Sequence, residues 1–174
     1  MDHKSPNIFA HLQSILALPF VVIIVIPSLI YFGVEKKLFN LFHLIDPEII
    51  DFFGGFFLVV GLFLMIRTIL LFSIRGKGTL APWDPPKKLV VKGPYRFVRN
   101  PMLVGVNFLL LSLGCLLRNE NILLWMMIFT FFNTIYFIKK EEPDLEKRFG
   151  EDYVEYKKNV PRWIPRLTAW ENQN

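Results

Sequence analysis

Cysteine is almost absent from this 174-residue chain, with Cys115 alone, inside an apolar stretch. One thiol excludes an intramolecular disulfide framework and a cysteine metal cluster, and leaves Cys115 as a packing residue. Histidine is scarce as well. His3, His11 and His43 lie apart from the polar motifs and lack metal-ligand spacing, so no metal is expected and no metal-activated water has a visible site. Charge is missing over long stretches. Ser5 to Val34 holds no Asp, Glu, Lys or Arg, and Ile15 to Phe32 is almost wholly apolar apart from Ser28. A secretory signal peptide has a shorter apolar region and a small-residue cleavage site, whereas this segment passes through Pro27 into Tyr31 and Phe32 and is expected to stay in the mature protein.

What is present is apolar bulk. The composition is 53% hydrophobic with 18 Phe, and the mean hydropathy is +0.39. A second apolar run, Phe52 to Ile66, continues through Arg67 to Ile74, which exceeds the roughly 20 residues that cross about 30 Å. Pro101 to Leu117 and Asn121 to Ile138 carry no formal charge and are joined by Arg118, Asn119 and Glu120, a pattern that predicts a helical hairpin. Of the 20 basic residues, 16 fall in the amino-terminal tail, in Arg75 to Asn100 and in Lys139 to Asn174, against three in the opposite loops. The positive-inside rule places those 16 in the cytoplasm. The expected fold is therefore all-α, a single polytopic membrane domain over residues 1–174 with about four transmembrane helices. It is expected in the inner or plasma membrane with both termini cytoplasmic. The net charge of +5 and pI of 9.4 are explained by membrane lipid headgroups, and nucleic acid binding is not expected. Pro27 is expected to kink the first span, and Gly54, Gly55, Gly61, Gly105 and Gly114 to allow close helix approach.

The polar blocks run from Arg75 to Asn100 and from Glu141 to Arg166. In the first, Gly76 and Gly78 and the Pro82, Pro85, Pro86 cluster stop the helix. The Gly76, Lys77, Gly78 turn either exposes amides to an anionic group or simply joins a span to a loop. Leu89, Val90 and Val91 form an apolar patch that lines a ligand cleft or dips into the interface. Pro101 suits a helix start, which makes Asn100 a capped membrane entry in the simplest reading. In the second block Leu145, Phe149, Tyr153 and Tyr156 recur at helical spacing and predict an amphipathic cytoplasmic helix, with Pro143 and Gly150 blurring its ends. Glu141 and Glu142 are either acceptors for the hydroxyls or ammonium of a polar ligand, or a solvated acidic flank.

Two ordered motifs resemble the isoprenylcysteine carboxyl methyltransferase and phospholipid methyltransferase superfamily. The first is Leu89 to Gly105, with Lys92, Gly93, Pro94, Tyr95 and Arg99, Asn100, Pro101, Met102, Leu103 at its centre. The second runs from the Glu141, Glu142 pair through Phe149, Gly150, Tyr153 and Tyr156 to Val160, Pro161 and Arg162. The likeness covers roughly the last 100 residues.

The resemblance implies a membrane-embedded enzyme that uses S-adenosylmethionine, releases S-adenosylhomocysteine, and holds the cofactor on cytoplasmic segments 75–105 and 139–166. Carried over residue by residue, Lys87, Lys88, Leu89, Val90 and Tyr95 match positions near the adenine and methionyl parts of the cofactor. Asn100, Pro101, Met102 and Leu103 match the segment entering the next helix. Glu141 matches an acidic cofactor contact, with Glu142 its neighbour. The family often has His where Asn100 stands, and some members have Arg where Phe137 stands. The implied reaction is methyl transfer to a lipophilic acceptor, with carboxyl O-methylation favoured over phospholipid amine N-methylation. An ionised carboxylate is already nucleophilic, and no histidine lies in the motif region to deprotonate an ammonium. No catalytic residue is assigned. The non-enzymatic alternative is a membrane scaffold whose basic loop and amphipathic helix bind anionic lipid or a partner.

Overall fold

The computed structural model describes residues 18–34, 41–75 and 89–171, the side chains of 72–75 excepted. Lys87, Lys88 and the Gly76, Lys77, Gly78 turn lie outside the described residues. Those described form helices and connecting turns with no strand, as expected for an all-α chain. In chain order these are α1 (Leu18–Gly33), α2 (Pro47–Arg75), α3 (Pro101–Leu116), α4 (Glu120–Phe149) and α5 (Glu151–Asn159). Short 3-10 turns cover Leu41–Leu44 and Gly93–Arg96. Pro47–Leu71 of α2 and the whole of α4 are long and apolar enough to cross a membrane, whereas α1 and α3 are shorter apolar helices.

Local chemistry sets the helix starts. The Asp46 carboxylate accepts the Glu48 amide at 2.8 Å beside Pro47, so α2 begins several residues before the apolar run. Asn119 caps α4 by accepting the Asn121 amide at 3.0 Å, and Arg118 turns the hairpin at φ 46°. The Arg118 guanidinium then pairs with Asp51 at 2.9 and 3.0 Å and ties the hairpin tip to the start of α2.

A π turn at Val21–Val25 precedes Pro27 in α1, and in it the Ile26 amide reaches back five residues to Val21 O. A proline ring collides with the carbonyl four residues earlier, and widening one turn removes the collision. Pro27 has no N–H for the Val22 carbonyl, and Trp125 Nε1 on α4 donates to it at 3.2 Å instead. The same solution recurs at Pro143. There a π turn at Phe137–Glu141 carries the Glu142 amide to Phe137 O, so the helix runs past Ile138, where the apolar run ends, to Phe149. The break comes at Gly150, whose φ of 58° suits glycine, and the amphipathic helix expected from the spacing is two helical pieces. Its apolar residues still share one face across the break, with Tyr153 and Tyr156 buried and Leu145 and Phe149 packed beside them.

Close packing of α2 on α3 runs through glycine. A Cβ on Gly61 would sit 2.8 Å from Leu109 Cγ and 3.0 Å from Gly105 O, and one on Gly105 would sit 3.1 Å from Gly61 O. Ser112 Oγ donates to Gly54 O at 2.8 Å in the same seam. Gly55 differs, with open space where its Cβ would be. Gly61→Val is therefore expected to cost about 1–3 kcal/mol by forcing the backbones apart. Gly55→Ala leaves the seam intact, which thermal unfolding of both variants in one detergent will check. At the level of this seam Val22, Ile23, Val106, Leu109, Leu110 and Phe129 form the bundle core.

Candidate active site

A second core, Tyr153, Tyr156, Val160 and Trp170, forms at the end of the bundle where α4 emerges. Leu89 and Val91 pack against it, so the apolar patch of the first motif is committed to holding the two motifs together. The segment between that patch and α3 turns at Gly93, φ 56°, into the 3-10 turn carrying Pro94 and Tyr95.

The carboxy-terminal tail straps this segment down. Arg99 N donates to Pro161 O at 2.9 Å, Arg166 N to Phe97 O at 3.0 Å, and Trp170 N to Arg96 O at 2.9 Å. Arg96 Nε returns a bond to Trp170 O at 3.0 Å, and its guanidinium pairs with Glu171. Tyr156 donates its hydroxyl to Tyr95 O at 2.7 Å. Nearly every residue from Tyr95 to Arg99 is thereby fixed by residues more than 60 positions later.

At the centre stands Glu142, buried at 3% exposure. Its Oε1 accepts from Arg99 Nη1 at 2.8 Å and from Arg162 Nη2 and Nε at 2.7 and 2.8 Å. Its Oε2 lies 3.1 Å from Lys157 Nζ, which also donates to Glu146 at 2.7 Å. Burial alone would raise this carboxyl, but the Arg162 hydrogen bonds and the Arg99 and Lys157 charges outweigh it and hold it below the usual carboxylate range. Glu142 is neither a solvated flank nor a free acceptor. It is the hub joining the first motif, α4, α5 and the tail. Sequence spacing did not reveal Arg99, Lys157 and Arg162 as its partners, because three cations distant in the chain meet only on folding. The sole signal was the presence of Arg99 and Arg162 within the two motifs.

Glu141, one residue earlier, is the opposite case. Among the described residues no hydrogen bond or ion pair reaches its carboxylate. Burial, then the neighbouring Glu142 charge, pushes it up to about 7. The Glu141 charge in turn helps raise the Tyr95 hydroxyl, after burial and Tyr156, so Tyr95 feels Glu141 and keeps its proton at neutral pH. Asn100 precedes Pro101 without using its side chain as a cap, and its amide is half-buried and uncommitted to α3. Among the described residues, Arg99 Nε is buried without a hydrogen-bond partner. Of the other expected contacts, Val90 and Met102 are half-buried and Pro101 is buried, while Leu103 packs against the bundle core. Below the site an open groove of about 460 Å³ runs between α3 and α4, lined by Asn107, Met126, Met127, Thr130, Phe131 and Thr134.

Comparison with known families decides the class. The phospholipid methyltransferase family matches residues 49–152, more than half the chain. The chain belongs to that family. It is thus placed among methyl-transferring enzymes, and the family implies S-adenosylmethionine as donor. Over 81 residues it is 37% identical to the protein-S-isoprenylcysteine O-methyltransferase of Schizosaccharomyces pombe, covering 45% of this chain. It spans only 34%, about a third, of that relative's length. The phospholipid methyltransferase match begins in α2 and ends in α5, so it encloses Tyr95, Asn100 and both glutamates. The residues present fit a zwitterionic cofactor tail, since a desolvated carboxylate and a buried orphan guanidinium N–H flank the same hub. Among the described residues no cluster of His, Cys, Asp and Glu is arranged to hold a metal ion.

Proposed function

We propose that this phospholipid methyltransferase family member transfers the methyl group of S-adenosylmethionine to a lipophilic acceptor at the cytoplasmic membrane surface, by carboxyl O-methylation of the isoprenylcysteine type. The observation that supports it best is the contrast between the paired glutamates. Glu142 is fully engaged and fixes the site, while Glu141 is desolvated, has no ion pair among the described residues, and shares its environment with the Tyr95 hydroxyl. In this reading Glu141 binds the cofactor's ammonium, Arg99 Nε its carboxylate, and Tyr95 and Asn100 supply a wall and a hydrogen-bonding amide. Lys87, Lys88, Leu89, Val90 and Pro101 to Leu103 complete the cofactor-binding set. The donor supplies a methyl on a positively charged sulfur, so the protein's task is to align an acceptor behind it and to exclude water. An ionised carboxylate needs no base, in keeping with a site whose described residues include no histidine; His43 stands at the other end of the bundle.

A lipophilic acceptor suits the groove between α3 and α4. Its upper lining residue, Thr134, lies seven residues before Glu141, roughly 10 Å along the helix. Phospholipid amine N-methylation is the second reading, kept by the family match itself. Purified protein in lipid bilayers, given labelled methyl donor and fractionated lipids, distinguishes them. A methyl ester releases volatile methanol in alkali, whereas an N-methyl product retains the label. A scaffold without enzymatic activity would show neither, and no heat of binding with S-adenosylhomocysteine.

In the same reading α1, α2, α3 and the Asn121 to Ile138 part of α4 cross the membrane. Phe52, Phe56, Val59, Phe63 and Ile66 all face outward from α2 with large exposed surfaces, which lipid covers at no cost and water does not. With Cys115→Ala as background, a cysteine at the exposed Leu44 is expected to react with an impermeant maleimide added to intact cells. A cysteine at Glu151 reacts only after permeabilisation; reaction of both from outside would sink the topology.

A further inference from the structure

The tail that straps the site carries two large apolar side chains that no described residue covers. Ile164 is 80% exposed and Leu167 is 99% exposed, although the flanking Trp163 and Trp170 are both packed. Where Trp163 goes sets their position. Its indole N–H donates to Thr134 Oγ1 at 3.1 Å and its ring meets Phe137 edge-on. Thr134 lies a full turn inside Ile138, the last apolar residue of α4 before Lys139 and Lys140. One helical turn is about 5.4 Å, so the Trp163 indole sits that far within the apolar part of the helix. Ile164 follows it directly in the chain, with its Cα about 3.8 Å from that of Trp163.

We infer that the tail turn from Trp163 to Leu167 enters the cytoplasmic leaflet, with Ile164 seated at the boundary of headgroups and hydrocarbon. The chemistry of the turn matches that position. A tryptophan with its N–H satisfied and a flanking arginine, Arg166, are the side chains that settle where apolar and polar phases meet. The adjoining polar groups stay on the protein side, Arg162 on Glu142 and Arg166 Nη1 on Asn159 O at 3.0 Å. The same tail fixes the backbone of Arg96, Phe97 and Arg99, so the bilayer becomes part of what holds the cofactor segment in place.

The inference rests on the reading that α4 crosses the membrane, and the experiment separates the two. Single nitroxide labels are placed at Ile164, at Phe132 on the outward face of α4, and at Glu151. Glu151 follows the break at Gly150, and α4 runs 11 residues, roughly 16 Å, beyond Ile138 before that break. Each is made in the full chain with Cys115→Ala and reconstituted in bilayers of phosphatidylcholine and phosphatidylglycerol. Accessibility to oxygen, which concentrates in hydrocarbon, is compared with accessibility to a water-soluble nickel chelate. The expected result groups Ile164 with Phe132 and sets Glu151 apart, with at least a threefold higher ratio of oxygen to nickel accessibility at Ile164 than at Glu151. Ile164 grouped with Glu151 while Phe132 reads hydrocarbon overturns the inference and leaves the spanning helix standing. Phe132 reading aqueous overturns both.

Discussion

Glu142→Ala is expected to destabilise the protein by about 3–5 kcal/mol, because it leaves Arg99 and Arg162 facing one another with no counter-charge in a largely buried site. Lys157 is more than a third exposed and adds little, since solvent already screens it. The loss should be regional as well as global. Without Glu142 the strap from Val160 to Glu171 separates from the Tyr95 to Arg99 segment, and limited proteolysis should open the tail first. Glu142→Gln keeps the shape and one acceptor and should fall between wild type and alanine. The double variant Glu142→Ala, Arg162→Ala should lose less than the sum of its parts, because the second change removes a cation stranded by the first. Additive losses in thermal unfolding would show that the two side chains do not share a hub. The pH dependence has a definite sign. The Glu142 carboxyl is held below its ordinary range, so its stabilisation is present above that range and is lost as pH falls through the depressed value.

The neighbouring glutamate behaves in the opposite way, and its variant separates binding from folding. Glu141→Gln is expected to weaken S-adenosylhomocysteine binding by roughly tenfold or more, since a charge-assisted contact in a desolvated site is lost. Stability should be unchanged or slightly higher. The folded-state pKa of about 7 is above the ordinary carboxylate value of 4.5, so ionisation of Glu141 opposes folding; that cost is absent below the ordinary value, grows as pH rises from there to about 7, and is complete above it. Cofactor affinity runs the other way. The ionised form attracts the ligand ammonium, so wild-type affinity should rise between about pH 6 and 8 while the glutamine variant stays flat across the same range. Calorimetric titration in matched detergent, with helicity and monodispersity monitored, provides the test. Parallel pH profiles for wild type and variant would remove Glu141 from the cofactor site. A folded Tyr95→Ala variant with undiminished affinity would do the same for the aromatic wall.

Residues alone determined much of this protein. Uncharged runs of helical length, prolines and glycines between them, and two ordered polar motifs specify an all-α chain of this family, because hydrophobicity, backbone restriction and motif order are local properties. The seam at Gly61 and Gly105 was legible for the same reason, since a missing side chain is visible before its neighbour is known. Tertiary structure decided the rest. Local spacing carries Pro143 and Gly150, but only the folded chain shows that a π turn takes the helix through the first while the second breaks it. The difference between Glu141 and Glu142 is invisible in a Glu-Glu pair. Consecutive helical positions point about 100° apart, and which carboxylate meets Arg99 and Arg162 depends on where the loop and tail, 43 residues before and 20 after, return to the helix. The strap is likewise a product of folding, because backbone bonds between residues 96–99 and 161–170 leave no periodicity in the sequence that makes them.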